Sequence, residues 1–191
     1  MNESTPETYG RKEKKIADFE GKTMSTPEIM YDKPIDLDKK DISLLINLDE
    51  NARLPLSKLS KKIGLSRDAV KYRIERLIKH KIILKFTTIV NPPNFGFTNI
   101  SWVFISLWNI TGNKEEEFVK YLKNNPYITY LSRVGGRWDY NLEITARNPG
   151  HFDEILTNIR RKFPEIIRDY ESVPLLKEYK MGYFPFRELS A

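Results

Sequence analysis

The stretch Pro55–Lys79, PLSKLSKKIGLSRDAVKYRIERLIK, reads as two short amphipathic helices hinged on Gly64-Leu65, with positive charge concentrated on the second. That is the pattern of a helix-turn-helix, in which the second helix enters a DNA major groove. Leu56, Leu59 and Ile63 give the first of the pair its buried stripe, and Pro55 suits its opening turn. Gly64 then supplies a left-handed turn at low steric cost. Ser66 is a good N-cap, and Val70, Ile74, Leu77 and Ile78 share one face of a helix over about 66–80. Upstream, Asp38 can cap a helix over 38–49, with Asp41 three residues later and Ile42, Leu45, Ile46 and Leu48 along one side.

Charge placement sharpens this reading. The net charge is +6, but residues 1–34 carry six basic and seven acidic side chains, residues 35–90 thirteen and seven, and residues 91–191 thirteen and twelve. The whole excess lies in the segment holding the helix pair, the electrostatic footprint expected for a polyanion, because neutralised phosphates release condensed counterions. A three-helix bundle with a merely solvated face would have to account for ten basic against two acidic residues between Leu56 and Lys85. At 100° per residue, the face opposite the apolar stripe carries Asp68, Tyr72, Glu75, Arg76 and Lys79, flanked by Lys71 and Arg73, with Arg67 on the first turn. Recognition helices read bases mainly with their N-terminal turns, which makes Ser66, Arg67, Asp68, Lys71 and Tyr72 the candidates for base readout. Lys61, Lys62, Arg73 and Arg76 are better placed for phosphates.

Other chemistries find little support. With no cysteine in 191 residues, disulfides, thiolate metal sites and cysteine nucleophiles are excluded. His80 and His151 stand in unrelated contexts, so neither a metal centre nor a histidine acid-base site is expected, and no catalytic residue is assigned. The N-terminus lacks an apolar signal-like region, and no apolar run approaches the ~18 residues of a membrane span, so a cytoplasmic protein with no membrane partner is expected.

Length suits two small domains, and 40% hydrophobic with 30% charged residues supports packed cores. Residues 1–34 are polar, contain Pro6, Pro27 and Pro34, and show no apolar period, which predicts a flexible extension. The helix-turn-helix domain spans 35–82. Ile82–Val90 is rich in β-branched residues and predicts a connecting strand closed by Asn91-Pro92-Pro93, within a linker of 83–97.

Residues 98–182 then alternate strands and helices, with 183–191 as a tail. A strand over Asn99–Ile110 has Ile100, Trp102, Phe104 and Trp108 on one face and Val103, Ile105 and Leu107 on the other. Helices in a small domain can cover only one face of such a sheet, so the second face is expected to meet another copy of the chain. Asn113 with Glu116 resembles a capping box before a helix over 114–124 carrying Phe118, Tyr121 and Leu122. Strands over 128–134 and 138–146 flank a Gly135-Gly136-Arg137 turn, the second with Trp138, Tyr140, Leu142 and Ile144 facing the core. Phe152, Ile155, Leu156, Ile159 and Phe163 mark a last helix, and 166–173 a last strand. The fold class is therefore α+β: an N-terminal, winged-helix-like helix-turn-helix domain, a strand linker and a C-terminal ferredoxin-like βαββαβ domain.

With both halves in view, the chain resembles the leucine-responsive (Lrp/AsnC) transcription regulators over about residues 35–182. The likeness rests on LDKKDISLL at 37–45, NAR at 51–53, LSKLSKKIGLS at 56–66, AVKYRIERL at 69–77, KIILKFTTIV at 81–90, FG at 95–96 and GRWD at 136–139. This resemblance implies a sequence-specific DNA-binding transcription regulator and homo-oligomer whose ferredoxin-like sensor domain dimerises and, in many members, binds an amino acid between subunits. It carries the effector site onto Gly135, Gly136 and Asp139, where backbone amides could receive a carboxylate and an acid could pair with an ammonium. Beyond this amino-acid effector no cofactor is implied. A nucleoid-organising protein that coats DNA with low specificity would share the basic helix. The architecture also resembles the siroheme decarboxylases, whose histidines look to lie on a sensor-domain strand; here that strand holds Tyr130, Leu131, Ser132 and Arg133.

Overall fold

A computed structural model describes residues 34–108, 111–186 and 188. The extension expected over 1–34 lies almost wholly outside the described residues.

Three helices open the structure: α1, Lys39–Glu50; α2, Leu56–Ile63; and α3, Arg67–Lys79. The expected starts hold at each. Asp38 and Asp41 form a reciprocal capping box at α1, and the Ser66 hydroxyl accepts from the Ala69 amide at 3.2 Å. Gly64 ends α2 with φ of 70°, a left-handed conformation that an L side chain would strain. The core of this domain is Leu44, Leu45, Leu48, Leu59, Ile63, Val70 and Leu77. Two expectations shift: Leu44 rather than Ile42 or Ile46 is fully buried, and Ile78 is exposed. The inward face of α1 is rotated to bring Asp41 inside as well.

Downstream, residues 84–90 form no strand. A strand is held by hydrogen bonds to a neighbour, and among the described residues this segment has none, so Phe86, Ile89 and Val90 remain exposed, Ile89 at 70%. A single 3₁₀ turn, Pro92–Phe95, leads into the second domain.

That domain contains β1, Asn99–Leu107; α4, Gly112–Asn124; β2, Ile128–Arg133; β3, Tyr140–Ala146; α5, Pro149–Lys162; and β4, Ile167–Pro174. The sheet order is β2-β3-β1-β4, and every neighbouring pair is antiparallel. This is the ferredoxin-like arrangement, with β1 and β3 central and α4 and α5 on one face. Val103, Ile105, Leu142 and Ile144 meet Phe118, Leu122, Leu156 and Ile159 in a continuous core.

Two local expectations fail here. Helix α4 begins at Gly112 after Thr111 with no side-chain cap, so the capping box expected at Asn113 is absent. Trp138 does not join the core face. The strand proper starts at Tyr140, and the preceding hairpin turns Trp138 outward to lie 6.3 Å from the Phe104 ring.

The face of the sheet away from the helices stays open. Ile100, Trp102 and Phe104 on β1 lie there beside Tyr130 and Val173; the Trp102 and Tyr130 rings meet edge-on at 5.6 Å. Tyr130 and Val173 are exposed. The same face carries Asn141, whose Oδ1 is buried and is the one such side-chain atom without a hydrogen-bond partner among the described residues.

Candidate nucleic-acid interface and effector hairpin

Helix α3 presents two chemically distinct sides. Ser66, Arg67, Asp68, Lys71 and Tyr72 are exposed together along its first turns, and Lys61 and Lys62 are exposed at the end of α2. Tyr72 is 65% exposed. Lys71 lies 3.9 Å from Glu75, a solvated pair one turn apart that constrains it little. All seven side chains face solvent, and the four cations among them, Lys61, Lys62, Arg67 and Lys71, give this side its positive charge.

Arg73 and Arg76 are placed differently. Arg73 Nη1 donates to Asp38 Oδ2 and to Asp41 Oδ1, each at 2.7 Å, and Arg76 Nη2 donates to Asp41 Oδ2. Asp41 is 1% exposed. Its carboxylate therefore sits inside the domain with a guanidinium on each oxygen, tying α3 to the first turn of α1. Lys40, one residue earlier, donates from Nζ to the Ile63 carbonyl at the end of α2. The opening turn of α1 thus holds both members of the helix pair. Arg73 and Arg76 orient the recognition helix from behind instead of lying open toward phosphate, as their spacing had led us to expect.

Sequence reasoning missed this clamp, although a signal was present. Asp41 falls on the same stripe as Leu44, Leu45 and Leu48, while Arg73 lies three residues past Val70 and four before Leu77. Opposite charges embedded in two apolar stripes are costly to bury unless they meet.

Asp38 adds a titration. The Asp41 amide, which donates to Asp38 Oδ1 at 2.8 Å, is the main cause that holds this carboxyl below its ordinary value of 3.8; burial opposes it, and the Arg73 guanidinium adds to the lowering. A carboxyl with a depressed folded pKa adds stability that is fully present above the unfolded value and lost as pH falls through the folded one. Acid unfolding followed by circular dichroism below about pH 4 should therefore be shallower in Asp38→Asn, which keeps the cap but cannot titrate. Equal slopes would contradict this assignment.

The hairpin between β2 and β3 brings Gly135, Gly136 and Asp139 together. Gly136 has φ of 103°, so a glycine is needed there, whereas a Cβ on Gly135 would meet nothing within 4 Å. The Asp139 amide donates to the Ile105 carbonyl at 2.9 Å, and its Oδ2 accepts from the Leu107 amide at 2.7 Å. That carboxylate therefore closes the end of β1 and is already engaged.

Beside the hairpin lies a polar cluster that the sequence did not reveal. The Tyr140 hydroxyl donates to Glu115 Oε1 at 2.6 Å, and Arg133 Nη1 lies 3.1 Å from the same oxygen. Burial, then the Glu115 hydrogen bond, pushes the Tyr140 hydroxyl well above its ordinary pKa. The three residues come from α4, β2 and β3, so nothing in their spacing connects them. Among the described residues, no group of acids and histidines is arranged to hold a metal, and no helix is long and apolar enough to cross a membrane.

A helix-turn-helix with an exposed basic recognition helix, joined to a ferredoxin-like domain, defines a two-domain DNA-binding protein with a separate ligand-binding or assembly module. The AsnC-type helix-turn-helix domain matches residues 37–78, and the Lrp/AsnC ligand-binding domain matches residues 103–183. An HTH-type transcriptional regulator of Pyrococcus horikoshii is 33% identical over 126 residues, covering 66% of this chain and 84% of that protein. The proline dehydrogenase transcriptional activator of Rhizobium radiobacter is 26% identical over 134 residues, covering 70% and 86%. Among solved structures, a Neisseria meningitidis transcriptional regulator in complex with L-Met superposes with a TM-score of 0.73 at 23% identity, covering 81% of this chain and 99% of that one. The AsnC protein of E. coli gives 0.68 at 21%, covering 78% and 99%. The chain belongs to the Lrp/AsnC family of transcriptional regulators.

Proposed function

We propose that this regulator binds specific duplex sites as a homodimer, in the cytoplasm, and responds to an amino-acid-like effector held at the Gly135–Asp139 hairpin where subunits meet. The observation that carries the reading is the division of labour on α3. Its N-terminal turns leave Ser66, Arg67, Asp68, Lys71 and Tyr72 exposed for bases, with Lys61 and Lys62 beside them for phosphates, while Arg73 and Arg76 are spent on the clamp to Asp41. The open aromatic face of the sheet and the unpaired apolar linker both favour a second copy of the chain, because each offers a surface of the kind that an identical partner satisfies by symmetry.

At the hairpin, Gly135 and Gly136 supply amides for a carboxylate. With the Asp139 side chain engaged on β1, the ammonium is assigned to Asp139 only if the Leu107 contact opens; the L-Met bound by the Neisseria regulator supports an amino acid as the ligand class. An effector acts here by differential binding. It can shift the regulator between assembly states only by its preference for one of them.

Selection of binding sites from random duplex, repeated with each amino acid present, tests the whole reading. Affinity for the selected site should exceed that for random duplex at least ~10³-fold and fall steeply with salt. Lys61→Ala should weaken all sequences alike and reduce the salt slope by about 1. Arg67→Ala or Tyr72→Ala should instead change the selected motif. Binding that is indifferent to sequence, or a motif unmoved by either change, would contradict the assignment.

A further inference from the structure

Beyond β4 the chain returns to the DNA-binding domain. The Leu175 amide donates to the Ile100 carbonyl at 2.8 Å, its last tie to the sheet. Leu176, Tyr179, Met181 and Tyr183 are then all exposed, Leu176 at 94%. Phe186, by contrast, is half-buried and packs against the helix-turn-helix core. Its ring lies 4.9 Å from that of Phe184, its amide donates to the Phe184 carbonyl at 3.0 Å, and the Glu188 amide donates to the Pro185 carbonyl at 3.0 Å. This tight turn presents the ring.

We propose that residues 175–186 are a strap that docks the sheet domain onto the helix-turn-helix domain through Phe186. Within one chain the covalent link over 84–91 forms no strand, so by itself it would leave the two domains free to reorient. A second attachment closes the connection into a loop. Because the ring is tethered eleven residues from the sheet, which can span about 40 Å at most, its docking is intramolecular and proceeds at high effective concentration. The exposed middle of the strap supplies slack, and the anchored end supplies the contact. The strap fixes how α3 is carried by the sheet domain, giving any rearrangement of that domain a route to the recognition helix. This last consequence rests on the DNA-binding reading above; the strap itself does not.

The test uses full-length protein with Phe186→Ala, a chain ending after Gly182, and Tyr179→Ala as a matched change in the exposed middle. All three tryptophans, Trp102, Trp108 and Trp138, lie in the sheet domain, so their fluorescence reports unfolding of that domain alone. Phe186→Ala and the shortened chain should raise amide hydrogen exchange in α1–α3 by about 5-fold or more and leave the tryptophan transition unchanged. Both should lower affinity for a duplex carrying two half-sites by roughly 10-fold, and Tyr179→Ala should do none of this. Unchanged exchange in α1–α3 overturns the strap, as does a shift of the tryptophan transition of equal size. Raised exchange with unaltered DNA affinity upholds the strap and removes its role in presenting α3.

Discussion

Replacing Asp41 by alanine is expected to destabilise the helix-turn-helix domain by about 2–4 kcal/mol and to abolish measurable specific DNA binding. Breaking a fully buried ion pair typically costs about 3–5 kcal/mol because the partner charge is left uncompensated. Here the partners Arg73 and Arg76 retain 21% and 35% of their side-chain exposure, so water recovers part of that loss. The effect on binding is larger than on stability alone, since α3 would lose two of its three ionic ties to the first turn of α1, keeping only Arg73 to Asp38, while its exposed side stays intact. Urea unfolding followed by circular dichroism, alongside duplex titration, measures both. Asp41→Asn should be intermediate, keeping acceptor geometry for one guanidinium without the charge. A variant that unfolds like the parent would show that the two arginines are satisfied by solvent and that the clamp does not orient α3.

Placing a charge on the open sheet face is expected to produce the second large effect. Trp102→Glu should convert the proposed homodimer to a monomer and weaken binding to a two-half-site duplex by 10²–10⁴-fold, because each recognition helix would then bind alone. Trp102 sits centrally, paired across the sheet with Glu143 on one side and Val173 on the other, so a new carboxylate adds to the charge of Glu143 and of Glu171 nearby. Its half-buried position means the fold itself should survive, which circular dichroism checks. Sedimentation velocity reads the assembly directly. A variant that remains dimeric at micromolar concentration would move the interface elsewhere, to the apolar linker Leu84–Val90 first.

Much of this molecule was legible before any coordinates. Helix starts at Lys39, Leu56 and Arg67, the left-handed Gly64 and the alternating apolar positions of β3 follow from local rules, because capping, turn conformation and side-chain period depend on residues a few positions apart. The exposed side of α3, with Ser66, Arg67, Asp68, Lys71 and Tyr72, was legible for the same reason. What escaped were pairings across elements. Asp41 looked like part of a cap and proved to be the anchor for two arginines. Arg73 and Arg76 looked like phosphate ligands and are turned inward. Asp139 looked like a free acid beside two glycines, and its carboxylate closes β1. Ile82–Val90 has strand-forming side chains, yet composition cannot supply the neighbour that a strand requires.

From its sequence this chain determines where its first three helices begin, where the alternating apolar face of β3 lies, and that its cationic surplus lies on one helix pair, since all three are set by short-range covalent order. Only the tertiary structure decides which charges are free. A guanidinium three residues along α3 from a buried valine becomes a clamp or a DNA ligand according to whether a carboxylate from another helix lies within hydrogen-bonding distance, and that distance exists only once α1 has packed against α3.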